Sequence, residues 1–279
     1  MKPNIHLLGI VNLTDDSYYA ASRAQDRDAF LSRVGTMLAE GADWIDIGAC
    51  STRPGAQPVG ADEEWRRLEP ALQVLRQAFP DARVSIDTYW SSIVERAYDL
   101  IGPFMVNDIS AGAFDAKMLP LVGRLGLPYI AMHKRGNPRT MDARCDYPGG
   151  VVEELTAYFQ AFGRRAEAHG IREWILDPGL GFAKTPEQNW EILRRLGELK
   201  ALGRPVLVGA ADKRFTHTPP PFAFPALPDE TPTGRAHRLA LLHGADILRV
   251  HDVAAARRAL AGFLSAEPTD ADIPPARPA

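Results

Sequence analysis

Apolar positions along this chain fall into short continuous runs, separated by longer stretches where they recur every three or four residues. The short runs are 5–10 (IHLLGI), 43–48 (DWIDIG), 84–87 (VSID), 104–109 (FMVNDI), 128–132 (PYIAM), 174–177 (WILD), 205–209 (PVLVG) and 246–250 (DILRV). Brief apolar runs bounded by turn residues read as buried strands. Helical spacing fills 27–40, 62–79, 91–101, 115–126, 150–169, 186–202, 234–243 and 252–264, as in Leu68, Leu72, Val74 and Leu75. Strict alternation of eight strands with eight helices calls for parallel strands joined by right-handed crossovers. The expected fold is an α/β, (β/α)8 TIM barrel in a single domain over 1–264. A doubly wound open sheet is the alternative. It more often places a Gly-rich phosphate turn after the first strand, where this chain reads Asn12-Leu13-Thr14-Asp15-Asp16-Ser17. Two stretches break the rhythm. The segment 216–232 carries Pro219, Pro220, Pro221, Pro225, Pro228 and Pro232 and reads as a long excursion after the seventh strand. The end, 265–279, is rich in Pro, Ala and Asp and reads as a disordered tail.

Charge and composition narrow the classes. A net charge of −3 over 279 residues gives no nucleic-acid face and no patch for a membrane surface. No apolar run approaches bilayer length, and the first residues read as a strand rather than a signal peptide. Cys50 and Cys145 lie far apart without metal-like spacing, as expected of thiols in a reducing cytoplasm. The expectation is a cytoplasmic protein that acts on small molecules, with neither nucleic acid nor membrane as partner.

In a barrel the chemistry sits at the C-terminal ends of the strands. Every strand here leads to a polar group at that end: Asn12, Thr14 and Asp16; Asp46, then Ser51, Thr52 and Arg53; Asp87-Thr88; Asn107-Asp108; Met132-His133; Asp177; Asp212-Lys213-Arg214; and Arg249, His251 and Asp252. Each residue alone has an ordinary reading, Asp46 as a helix cap or His251 as a core histidine, but chance would scatter such groups over both ends. Asp46, Asp87, Asn107 and Asp177 offer acceptors and an amide suited to a flat, nitrogen-rich heterocycle. Arg53, Arg249 and His251 suit a phosphate or diphosphate, and Asn12 a magnesium ion carried by it. Heterocycle plus diphosphate, with no nucleophile and no strong base beside them, points to displacement of diphosphate.

These motifs resemble those of the dihydropteroate synthase family of folate biosynthesis. The matching stretches are GIVNLTDDS (9–17), DIGACSTRPGA (46–56), SIDT (85–88), NDIS (107–110), AMH (131–133), DPGLGFAKT (177–185) and RVHDV (249–253), together with 132–141 and Tyr147. The resemblance runs from about residue 5 to 264. It implies a transferase joining 6-hydroxymethyl-7,8-dihydropterin diphosphate to p-aminobenzoate by an ionising, SN1-like displacement of diphosphate. It implies that Asp87, Asn107 and Asp177 hold the pterin, with Asp46 and Met132 lining the pocket. Lys213 would contact pterin and aminobenzoate, Thr52, Arg53, Arg249 and His251 the diphosphate, and Asn12 a Mg2+. Catalytic roles fall to Lys213, Asp87, Asp177 and Asp16. Sulfonamides would be inhibitors, and a homodimer is expected, for which Leu239, Leu242, Leu260 and Phe263 could serve, though they equally suit core packing.

Three departures stand out. The second acid of the family's first loop is Ala20 here, with Asp16 kept at the earlier position, its Gly-Gly-Glu is Gly48-Ala49-Cys50, and its Ser-Arg-Lys is Ala211-Asp212-Lys213. They keep a second reading open, a divergent pterin-binding paralogue with lost or altered condensation. A barrel methyltransferase acting on a reduced folate would share the acids but would not need Arg53, Arg249 and His251 together.

Overall fold

The computed structural model describes residues 5–13, 24–50, 59–136 and 140–265. Its strands are β1 (His6–Asn12), β2 (Trp44–Gly48), β3 (Val84–Asp87), β4 (Met105–Asp108), β5 (Tyr129–Met132), β6 (Trp174–Asp177), β7 (Leu207–Val208) and β8 (Ile247–Val250). All pairings are parallel, in the order β6-β5-β4-β3-β2-β1-β8-β7. A bridge between Leu176 and Val206, with the Leu176 N–H donating to the Pro205 carbonyl at 2.9 Å, joins β6 to β7. The ring is therefore closed, and the open-sheet alternative, which needs two free edges, is excluded.

Around the barrel, among the described residues, run α1 (Ala24–Ala39), α2 (Ala61–Ala78), α3 (Ser91–Ile101), α4 (Met118–Leu125), α5 (Val151–Ala168), α6 (Pro186–Arg194), α7 (Leu196–Lys200), α8 (Pro232–Leu242) and α9 (Val253–Ser265). None of these helices is long and apolar enough to cross a membrane.

Side chains alternate across a strand, so the register decides what enters the barrel. Outward positions such as Ile45, Ile47, Ile86, Val106, Leu176, Val208 and Leu248 join the helices in the main core. Inward positions at the lower end form a separate apolar plug of Leu8, Met105, Ile130, Ile175, Leu207 and Ile247, capped by Trp44. The plug leaves only the upper end of the barrel free for polar groups.

The structure differs from the sequence expectation at several boundaries, three of them between β6 and β8. The helix expected over 186–202 is two helices, broken at Arg195, whose φ of −105° and ψ of 18° leave the helical region. Arg195 is held there by Glu153, Glu191 and Glu198, at 2.7, 2.8 and 2.7 Å. β7 shrinks from 205–209 to Leu207–Val208, and α8 starts at Pro232 rather than 234. Proline suits a first helical position because the N–H it lacks has no partner there. The Thr231 hydroxyl caps the same end by accepting from the Gly234 N–H at 3.0 Å.

The proline-rich excursion opens with a 3-10 turn, Arg214–His217, and is tied down. The Trp190 indole N–H donates to the Thr218 carbonyl at 2.9 Å. Arg238 pairs with Glu230 at 2.6 Å, donates to the Pro225 carbonyl at 2.7 Å and lies 4.0 Å from the Phe224 ring centre. The expected tail beyond Ser265 lies outside the described residues.

Asp108 shows how one rim loop is held. It is wholly buried and accepts from the Ser110 N–H and hydroxyl, both at 2.7 Å, the Gly112 N–H at 2.8 Å and the Tyr129 hydroxyl at 2.6 Å. Asp108→Ala strands those donors in the interior. We expect it to lower unfolding free energy by about 3–5 kcal/mol, read as a lower urea midpoint at unchanged slope.

Candidate active site

Two residues along each strand from the apolar plug, the inward positions are Ile10, Asp46, Asp87, Asn107, Met132, Asp177, Gly209 and Arg249. One step of the strand repeat thus converts a hydrophobic layer into one with three carboxylates, an amide and a guanidinium. Six of these residues, all but Ile10 and Gly209, are those assigned from sequence to the heterocycle and the anion.

Asp46 sits at the centre and is wholly buried. One of its oxygens accepts from the Ser85 hydroxyl at 2.6 Å, and the other from the Asn107 amide at 3.1 Å and from Arg249 Nε at 2.7 Å. It caps no helix. With its acceptors taken, it orients Asn107 and Arg249 from beneath the pocket. Arg249 spans two acids, because its other arm donates to Asp87 at 2.7 Å. Burial pushes Asp87 up to about 7; Arg249 pulls it down, while Asp46, Asp108 and Asp177 push it higher. Burial raises Asp177 as well, against its bond from the Gly179 N–H at 2.8 Å and the nearby Arg249, Lys213 and Lys184.

Lys213 faces these acids from the loop after β7. Its ammonium lies 4.5 Å from the Phe182 ring centre. Burial and the Arg249 charge lower it to about 8, while Asp177 and Asp87 pull the other way. Met132 packs with Tyr89 and Ile109, and with the partly buried Cys50, Trp90 and Phe182, as an apolar wall. Cys50 lies with its sulfur 3.5 Å from the Tyr89 hydroxyl.

At the lip, Asn12 ends β1 opposite Gly48 and is half-buried. His251 follows β8, its carbonyl accepting from Arg33 at 2.6 Å. It lines an outer cavity of about 1300 Å³ with Asp212, His217, His237 and Phe263. Asp212 is exposed, with φ at +54°, and lines that cavity rather than the acid layer. Asp16, Thr52 and Arg53, the loop change at Ala20, and Ser51 lie outside the described residues.

The site is thus a layer of acids beside two cations, Arg249 and Lys213, at the C-terminal mouth of a closed barrel. The pterin binding enzyme model matches residues 8–251.

The chain belongs to the pterin binding enzyme family.

Among its relatives, the dihydropteroate synthase of Synechocystis sp. is 41% identical over 90% of this chain and 86% of its own length. The folic acid synthesis protein fol1 of Pneumocystis carinii is 40% identical over 90% of this chain, but the chain spans about a third (34%) of that protein. The dihydropteroate synthase of Thermus thermophilus, solved in complex with 4-aminobenzoate, superposes with a TM-score of 0.76 at 39% identity, covering 93% of both chains.

In this pterin binding enzyme, the structure also places near the acid layer groups that strand-end reasoning passed over. Ser85 was invisible because it lies mid-strand, although its register opposite Asp46 marks it. Glu64, in the first turn of α2, is wholly buried; burial raises it to about 7, opposed by the Thr88 hydroxyl, and Asp87 adds to the rise. Lys134 is half-buried, its charge disfavoured by burial and favoured by Asp108 and Asp87. Lys184, within the DPGLGFAKT motif, is buried with the loop after β6.

Proposed function

We propose that this chain catalyses the dihydropteroate synthase reaction, joining 6-hydroxymethyl-7,8-dihydropterin diphosphate to p-aminobenzoate and releasing diphosphate. The observation that carries the reading is the single layer holding Asp46, Asp87, Asn107, Asp177 and Arg249 together. Asp87, Asp177 and the Asn107 amide meet the N–H and carbonyl edge of the pterin, while Met132 packs on its face. Lys213 bonds the pterin carbonyl and borders the aminobenzoate. Arg249 and His251, with Thr52 and Arg53, take the diphosphate, and Asp16 serves the first loop.

In the chemical step the C–O bond of the pterin methylene breaks and both electrons leave with diphosphate. The cation left behind is delocalised into the pterin and shielded by the carboxylate layer. The aminobenzoate nitrogen then bonds to that carbon and sheds its proton to water or to the departing diphosphate. No strong base is needed.

Asn12 supplies one hard oxygen donor at the lip, which suits Mg2+. Among the described residues no group of three His, Cys, Asp or Glu forms a cation site by itself, so an ion here would share the diphosphate oxygens with Asn12. Bound in that way, Mg2+ would neutralise charge on the departing group.

A pH dependence follows. Asp87 accepts substrate N–H bonds most strongly when ionised, so kcat/KM rises as pH passes its raised value near 7. Lys213 donates only when protonated, so kcat/KM falls as pH climbs through about 8. We expect a narrow bell with its maximum between these limbs, measured on the free enzyme with subsaturating pterin diphosphate.

The homodimer is also a proposal. Leu239 and Leu260 are core residues, which removes them from the expected interface, whereas Leu242 and Phe263 are half-buried and line the outer cavity between α8 and α9. Light scattering at micromolar concentration should give twice the 30.6 kDa chain mass. Neither cysteine is in a disulfide, which fits the cytoplasm as the compartment. The test of the activity itself is mass-spectrometric detection of dihydropteroate from the two substrates.

A further inference from the structure

The DPGLGFAKT motif contains a lysine, and the AMH motif a histidine, to which the reaction assigns no role. Lys184 is 8% exposed and His133 2% exposed. The Lys184 ammonium has three N–H groups and three acceptors: the Gly179 carbonyl at 3.0 Å, the Phe182 carbonyl at 3.0 Å and His133 Nδ1 at 3.1 Å. To accept that bond the imidazole must be neutral, with its proton on Nε2. Burial and the Lys184 charge favour that form by holding His133 far below its ordinary value.

These bonds join two rims. Gly179 and Phe182 belong to the loop that leaves β6 just after Asp177, and His133 to the one that leaves β5 just after Met132. The His133 N–H donates to the Asp177 carbonyl at 3.0 Å, a second link between the same rims. The approach is so close that a Cβ on Gly179, whose φ is +66°, would stand 2.0 Å from the His133 carbonyl oxygen. The loop's far end is clamped by a capping box, Thr185 and Gln188 each bonding the other's backbone N–H. Between these fixed points the loop presents Phe182 to Lys213, and a Cβ on Gly181 would meet Lys213 Cδ at 3.2 Å.

We propose that Lys184 is a positioning residue of this site: by cross-linking the β5 and β6 rims through His133, Gly179 and Phe182, it sets Asp177 for the pterin and the Phe182–Lys213 wall for the second substrate. Lys184 touches neither substrate. Burial lowers Lys184 to about 7; Asp177 and Cys145 favour its charge, while Arg135 and Lys213 oppose it.

The test compares Lys184→Met, which keeps bulk and removes the donors, with the wild type, well below the melting temperature of either. KM for both substrates should rise by about tenfold or more, since small misplacements of binding groups cost rate steeply. The kcat/KM–pH curve should keep its shape. Amide exchange at Leu180 to Phe182 should quicken. Kinetics and exchange equal to wild type would overturn the proposal, and so would loss of one limb of the pH curve, which would make Lys184 a proton-transfer group. Should Lys184→Met fail to fold, His133→Leu and His133→Gln ask the same question. The first removes the acceptor and should show the defect; the second supplies a carbonyl in its place and should restore most of the activity. Equal behaviour of the two would overturn the proposal. It rests on the dihydropteroate synthase reading, but the tests separate. A wild type without turnover defeats that reading, while unchanged exchange in Lys184→Met defeats only this one.

Discussion

Lys213→Ala lowers kcat/KM by about a thousandfold while leaving the fold intact, the magnitude lost when one preorganised donor is removed from a buried site. Lys213 is the cation on the loop after β7 that acts on both Asp177 and Asp87, and among the described residues it packs on Phe182 and makes no salt bridge. Its removal takes away the donor to the pterin carbonyl and one side of the aminobenzoate site together, so kcat and KM should both suffer. Stability should change little, because burial already disfavours this charge: Lys213 sits at about 8 rather than its ordinary value. Steady-state kinetics beside a thermal melt would check both halves. A Lys213→Ala enzyme with wild-type kinetics would remove Lys213 from the site.

Arg249→Met should be the most destabilising change at the rim. Arg249 is the only guanidinium in the inward layer and bonds Asp46 and Asp87 at once. Without it those two acids share a desolvated space with Asp177. Breaking a buried pair from one side costs about 3–5 kcal/mol. The deficit carries a pH signature. Loss of the cation raises the folded-state value of Asp87 further, so the folded variant holds protons that the unfolded chain releases above about 4. Wild-type Asp87 already sits at about 7, so both folded proteins hold that proton below it. The variant is near wild type there and loses stability relative to it as pH rises above about 7 toward its own higher value. Urea melts at pH 4 and pH 8 would show a small difference at the first and a large one at the second. The same variant should bind pterin diphosphate weakly, because it lacks the guanidinium that the proposed assignment gives to the diphosphate oxygens.

The architecture was legible because its signal is periodic. Short apolar runs alternating with amphipathic ones mark a parallel sheet, and polar residues clustered at the same strand ends mark the active face. The periodic signal cannot show where a helix breaks for tertiary reasons. The junction at Arg195 depends on Glu153, which lies on α5, and only the folded chain brings the two together. Nor can it rank the acids. Asp46, Asp87 and Asp177 look alike on strand ends, yet Asp46 is saturated by Ser85, Asn107 and Arg249 and supports the layer. Ser85 and Lys184 escaped because each meets a partner distant in sequence, Asp46 on the neighbouring strand and His133 on the β5 rim. Asp212, which stands where the resemblance leads one to expect an arginine, lines the outer cavity and is exposed to screening by solvent.

The most direct measurement is diphosphate release by the purified chain, followed with a coupled assay in the presence of Mg2+, with pterin diphosphate alone and then with p-aminobenzoate added. The account predicts release that depends on both substrates, saturates in each and is competitively inhibited by a sulfonamide. Tight binding of pterin diphosphate without release under any addition would contradict it and establish a pterin-binding paralogue that has lost the condensation.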